Sequence, residues 1–175
     1  MKKLLFIVLG VIVIIVLVVL VIALIGWRLP KEHSATRSVL IHKPPDQVYA
    51  VARDFASMPN WRSDLTSVHV TTASDGRLHF REDGSNGPVN YELTEDISGQ
   101  RMVTRITDTD LGYSGKWTYV FKAEGPDTRV AITEDGVVSN VIFRFLSKYA
   151  FGHTATIDTY LKSLGKQFGE TVTPE

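Results

Sequence analysis

The chain has 175 residues, 44% of them hydrophobic, with 19 basic and 19 acidic side chains and no cysteine. That length suits one ordinary domain with an accessory segment, and the composition excludes a disordered chain. The even charge excludes the basic stripe of a nucleic-acid binder, and the lack of cysteine excludes a disulfide framework, a thiol nucleophile and a cysteine-ligated metal.

Leu4 to Ile25 read LLFIVLGVIVIIVLVVLVIALI, 22 residues without a charged or polar side chain. At 1.5 Å per residue a helix of that length covers about 30 Å, the thickness of bilayer hydrocarbon. A cleaved signal peptide is the alternative, since Lys2 and Lys3 supply a positive start. Its apolar run, however, is about 7 to 15 residues and ends at small residues, which ALIGW does not offer. The sequence predicts an uncleaved anchor over residues 1–27, with residues 4–25 facing the lipid bilayer and Trp27 at its interface. Lys2 and Lys3 on one flank nearly balance Arg28 and Lys31 on the other. The short basic N-terminus favours an N-in orientation, which makes this a single-pass membrane protein with its domain on the extracytoplasmic side.

Residues 28–35, RLPKEHSA, read as a polar linker that keeps a domain over 36–172 close to the membrane. Within that domain ATRSVLIH is a first strand with Val39 and Ile41 on one face, ended by KPP. Pro45 and Asp46 then suit the first turn of a helix carrying Val48, Val51, Ala52 and Phe55, with a second helical turn over Met58 to Trp61. Next the period becomes two. Six strands follow, LTSVHVTTA through DTRVAITEDGVV, separated by turns at Asp75-Gly76, Asn86-Gly87-Pro88, Ser98-Gly99, Gly112 to Gly115 and Gly125-Pro126-Asp127. Alternation places Val89, Tyr91, Leu93 and Ile97 on one face, with Trp117, Tyr119 and Phe121 on a neighbouring strand. Finally Asn140 to Glu170 repeats apolar residues at helical spacing, with Asn140 as N-cap and Gly152 as a kink or break.

Strand, helical corner, six-stranded meander and long C-terminal helix form an α+β helix-grip arrangement, a seven-stranded curved antiparallel sheet around a helix. The stretches VLIHKPPDQVYAVARDF, Pro59-x-Trp61 and TEDGVVSNVIFRFLSKYAFGHTATIDTYLKSLGKQF resemble the START and polyketide cyclase/dehydrase group, the SRPBCC superfamily, over about residues 36–170. The resemblance implies a cavity between sheet and helix that takes a lipid-like or other hydrophobic small molecule. Tyr91, Trp117, Tyr119 and Tyr149 either line that cavity or simply fill it. Trp61 is expected at its rim, wedged against the sheet.

No metal site and no cofactor are expected. His33, His42, His69, His79 and His153 show no ligand spacing, and DTDLGYSGKWTY has Tyr113 and Tyr119 where a calcium loop needs glycine and glutamate. Phosphate-binding, dinucleotide and G-x-S-x-G motifs are absent. An acid–base enzyme of the cyclase or dehydratase kind needs a buried polar group, and His153 is the first candidate, beside Gly152, where a glycine permits close approach. Arg105 is either an outward charge or a buried anchor for an anionic headgroup. Glu134 either turns inward or belongs to a turn. VVSNVIFRFLSKYAF, apolar on more than one side, either packs in the core or rests on the bilayer with Arg144 and Lys148 toward headgroups. Three functions stay open: a membrane-anchored carrier or binder, such an enzyme, or an interaction module whose cavity is filled.

Overall fold

The computed structural model describes residues 2–74, 76–85 and 87–175. Asp75 and Asn86, expected in two of the turns, lie outside the described residues. Helix α1 (Lys2–Arg28) is followed by β1 (Glu32–Ile41), α2 (Pro45–Arg53), a 3₁₀ turn (Phe55–Asn60) and the six strands β2 (Leu65–Thr72), β3 (Leu78–Gly84), β4 (Gly87–Ile97), β5 (Arg101–Ile106), β6 (Tyr113–Glu124) and β7 (Asp127–Val138). The C-terminal segment holds α3 (Val141–Leu146), a π-helical turn (Ser147–Phe151) and α4 (Ala155–Gln167). Among the described residues the seven strands make one antiparallel sheet in the order β1-β7-β6-β5-β4-β3-β2. The fold is the helix grip.

Two details differ from the expectation, and a third decides between a kink and a break at Gly152. The linker is shorter, because β1 starts at Glu32 and pairs with Val137, so His33 and Ser34 are strand residues and only Leu29 to Lys31 connect α1 to the sheet. The C-terminal helix is interrupted: Gly152 takes φ +75°, which no continuing helix tolerates. A Cβ there would meet nothing within 4 Å, so this glycine serves the turn and not a close approach. Ile97 leaves the inner face, because a bulge between Leu93 and Glu95 opposes two residues of β4 to one of β5 and reverses the alternation beyond it. Ile97 is 45% exposed, and Asp96 turns instead toward α2, where it accepts hydrogen bonds from Tyr49 Oη and from Arg53 Nε, the latter at 2.8 Å.

The core lies at one end of the grip. Ile157, Leu161 and Leu164 of α4 are fully buried against Val39 and Ile41 of β1, Val130 and Ile132 of β7, and Val48, Ala52 and Phe55 from the helical corner. Tyr49 meets Phe121 edge-on at 5.5 Å, so α2 plugs that end of the sheet. Desolvation, then the Asp96 carboxylate, push the Tyr49 phenol up to about 12.

At the opposite end α1 enters. It is a helix long and apolar enough to cross a membrane, and its apolar side chains are exposed along most of its length. Ile22, Ala23, Gly26 and Leu29, spaced along one face, are less exposed than their neighbours. A Cβ at Gly26 would overlap the backbone carbonyl of Val141, so glycine alone lets α3 lie this close. Arg144, 6% exposed, donates to the Leu29 carbonyl at 2.9 Å and the Ser139 carbonyl at 3.2 Å. A cation at the carbonyl end of α1 also complements its dipole. Arg144 therefore faces the protein, in line with the core-packing alternative and not with contact to lipid headgroups.

Burial separates two substitutions that look alike in the sequence. Leu161→Ala should lower the stability of the full chain by about 2–5 kcal/mol. Ile97→Ala should change it by less than about 0.5 kcal/mol, because the bulge has already exposed the side chain. Urea denaturation in detergent micelles measures both.

Candidate functional site

Between the sheet and the C-terminal segment, on the α1 side of the core, lies a cavity of about 730 Å³. That is within the range of about 300–1,000 Å³ typical of small-molecule sites. Its floor is the inward face of β4 to β6, where Tyr91, Thr104, Trp117 and Tyr119 alternate with outward residues. Thr156 and Thr159 of α4 form the roof. Phe80 stacks on Phe55 at 4.1 Å and on Tyr91 at 5.0 Å, which holds the phenol ring in the wall.

Five of the eight residues singled out by sequence line this cavity: Tyr91, Trp117, Tyr119, Glu134 and His153. Three do not. Arg105 is on the outer face, where it donates to Glu92 Oε2 at 2.8 Å while Arg77 holds Oε1 at 2.7 Å. Tyr149 is 60% exposed on the π-helical turn, against Phe145 at 5.1 Å. Trp61 is buried outside the cavity lining, edge-on to Tyr160 of α4 at 5.4 Å and in the core cluster that includes Phe80 and Tyr119 of the sheet.

Two polar groups stand at opposite edges of the floor. On the β1–β7 edge His33 Nε2 is 3.1 Å from Glu134 Oε1, whose other oxygen accepts from Trp117 Nε1 at 2.9 Å. His153 stacks on the His33 ring with centroids 4.3 Å apart. Gly136, directly opposite His33 in the ladder, leaves the space that the imidazole occupies. Burial, then the neighbouring His33, hold the His153 pKa below its ordinary value.

On the β2–β3 edge Arg62 binds two carboxylates, Glu82 Oε1 at 2.8 Å and Asp64 Oδ2 at 2.6 Å, with its guanidinium over the Tyr160 ring at 5.3 Å. Burial opposes the guanidinium charge, but Glu82 and Asp64 outweigh it and keep Arg62 firmly protonated. Burial raises the Glu82 carboxyl, an effect that Arg62 only partly offsets. Desolvation raises Tyr91, Tyr119 and Tyr160 as well, so all three stay as neutral phenols. Among the described residues the Tyr160 hydroxyl and the Trp61 indole N–H are buried without a hydrogen-bond partner.

Sequence reasoning passed over Arg62, Asp64, Glu82 and His33. Glu82 carried a usable signal, being in phase with Leu78 and Phe80 on an inward face. His33 was hidden by its assignment to the linker. Among the described residues no group of three or more His, Cys, Asp or Glu side chains is arranged to hold a metal ion.

Residues 32–165 match the family model described as polyketide cyclase / dehydrase and lipid transport. The chain belongs to this family. Solved structures of similar shape include a START superfamily protein from Mycobacterium smegmatis, with TM-score 0.61, 15% identity, and coverage of 77% of this chain and 96% of that one. The Zhui aromatase/cyclase from Streptomyces sp. R1128 has TM-score 0.62 and 11% identity, covering 78% and 93%. A protein from Thermus thermophilus has TM-score 0.62 and 24% identity, covering 78% and 95%. These likenesses concern the fold. No curated protein matches the chain. The cavity and the polar groups at its two edges lie within the matched residues.

Two substitutions probe those edges. Arg62→Ala leaves Glu82 and Asp64 without their cation and should destabilise the fold by about 3–5 kcal/mol, measured by denaturation at neutral pH. His153 has a folded pKa below its unfolded 6.5. The stability it contributes is complete above pH 6.5 and is lost as pH falls through the folded value. Glu82, with a raised pKa, acts in the opposite sense, its contribution being lost as pH rises. The difference between wild type and His153→Phe isolates the histidine: the variant should lose less stability between pH 7.5 and 5.

Proposed function

We propose that the chain binds an amphipathic, mainly apolar small molecule in this cavity while α1 holds it at a membrane. The observation that carries the reading is an aromatic-floored space of about 730 Å³ with a hydrogen-bonded charged cluster at each of two edges. An apolar body on the floor would gain about 25 cal/mol per Å² buried, before association costs. The edges would orient its polar ends. The contacts of Gly26 and Arg144 with α3 and the end of α1 support an anchor over a cleaved signal peptide, since loss of α1 would uncover a face the domain is built to pack. The extracytoplasmic placement rests on the flanking charges alone, and reporters fused to the C-terminus test it.

The arrangement His33–Glu134 favours a second reading, an acid–base enzyme. A carboxylate fixed by Trp117 and in turn fixing an imidazole is the geometry that orients a general base. His33 also faces the cavity.

One experiment separates these readings. Native mass spectrometry of the full chain released from detergent should show a bound molecule in wild type, and none in Thr156→Trp, whose indole fills the roof. An empty wild type with an intact fold overturns the binding reading. The bound species having the same mass in wild type and His33→Gln supports binding alone; different masses support the enzyme.

A further inference from the structure

We propose that the cavity exchanges its ligand directly with the bilayer that holds α1, through a mouth lying at headgroup level. This deepens the binding reading and rests on it.

The cavity opens at the end of the sheet where α1 enters. Three strand pairings locate that end: His33 with Gly136, Tyr113 with Val138, and Gly84 with Gly87. All six residues but Gly136 line the cavity. The other end is closed by α2 through Tyr49 and Arg53 on Asp96. The α1 side is therefore the open end of the grip.

The level of the mouth follows from one contact. The apolar run of α1 ends at Ile25, so Gly26 sits at the boundary between hydrocarbon and headgroups. Gly26 lies against the carbonyl of Val141, the first residue of α3. Phe143 is two residues further, about 3 Å along the helix at 1.5 Å per residue. It lines the cavity, stacks on Tyr113 at 6.0 Å, and is still 44% exposed, so it forms the rim.

The helical segments that flank the rim, α1 and the π-helical turn after α3, carry side chains suited to that boundary. Tyr149 is 60% exposed with the Lys148 ammonium 5.7 Å from its ring, and Trp27 is 68% exposed one residue beyond Gly26. Aromatic rings with a polar edge and long cationic side chains collect where one end of a group is apolar and the other wet. The occupant of this surface is a lipid bilayer, because the surface is continuous with the membrane helix itself. The coupling is stiff: Gly26 admits no separation by a side chain, and Arg144 ties α3 to the Leu29 carbonyl.

The absence of cysteine permits a direct test. Tyr149→Cys and Lys43→Cys, each carrying an environment-sensitive fluorophore, are placed in the full chain in phosphatidylcholine vesicles with a minority of phosphatidylglycerol. Spin-labelled lipid with its nitroxide near the glycerol should quench the label at 149 several-fold more than the label at 43. Equal quenching overturns the placement of the mouth. Exchange is then followed by energy transfer from the protein's tryptophans to a dansyl fatty acid in the same vesicles. A glycine-serine spacer inserted between Leu29 and Pro30, combined with Gly26→Leu, whose side chain the Val141 carbonyl excludes, keeps the anchor but frees the domain, and should slow loading about tenfold or more. Equal loading by both proteins, or equally fast loading from separate vesicles, overturns the direct exchange. If the dansyl probe fails to enter even in detergent, the binding reading falls and exchange falls with it. The quenching pattern stands apart from that result.

Discussion

At Gly152 the backbone turns to φ +75°, and the C-terminal segment is divided between two tasks that one straight helix could not perform together. Beyond the glycine, α4 lies on the sheet and supplies Ile157, Leu161 and Leu164 to the core. Before it, α3 leans on the end of α1. The space between the two directions is the cavity. His153 sits at the bend itself, which is why it can reach across to stack on His33 from the first strand.

The cavity differs from an oily slot in how its polarity is arranged. Arg62 with two carboxylates, and Glu134 between an imidazole and an indole, are each largely satisfied within their own group. Such groups cost desolvation, and removing one partner costs more than the pair contributes. They stand at opposite edges of an aromatic floor, so charge is kept away from its middle.

Much of the fold was legible because its signals are periodic. The alternation in β3 to β7 and the apolar spacing of α4 survive in the structure nearly unchanged, and Pro45 begins α2 as its missing N–H allows. What escaped the sequence was local irregularity and long-range pairing. A bulge after Leu93 moved Ile97 outward; nothing in GPVNYELTEDI announces it. His33 became a site residue only because β7 is long enough to pair with Glu32. Arg62 and Asp64, in the irregular stretch between Trp61 and β2, have no period to betray their direction. Of the two alternatives for Arg105 the outward charge is the one the geometry shows, and Tyr149 is exposed as well. Glu134 and His153 were suggested by phase and by a neighbouring glycine, and both face the cavity.

The buried guanidinium of Arg144 bears on how this protein can be handled. Half of its protein hydrogen bonding reaches the end of α1, and the Val141 backbone is shaped to a residue without a side chain. Removing α1 to gain solubility would therefore do more than cut a tether. It would strand a cation at the base of α3 and loosen the wall that carries Phe143, so a soluble fragment would present a wider entrance than the intact molecule. Affinities and selectivities obtained from such a fragment would describe a different opening, and the entire chain in lipid or detergent is the natural unit of study.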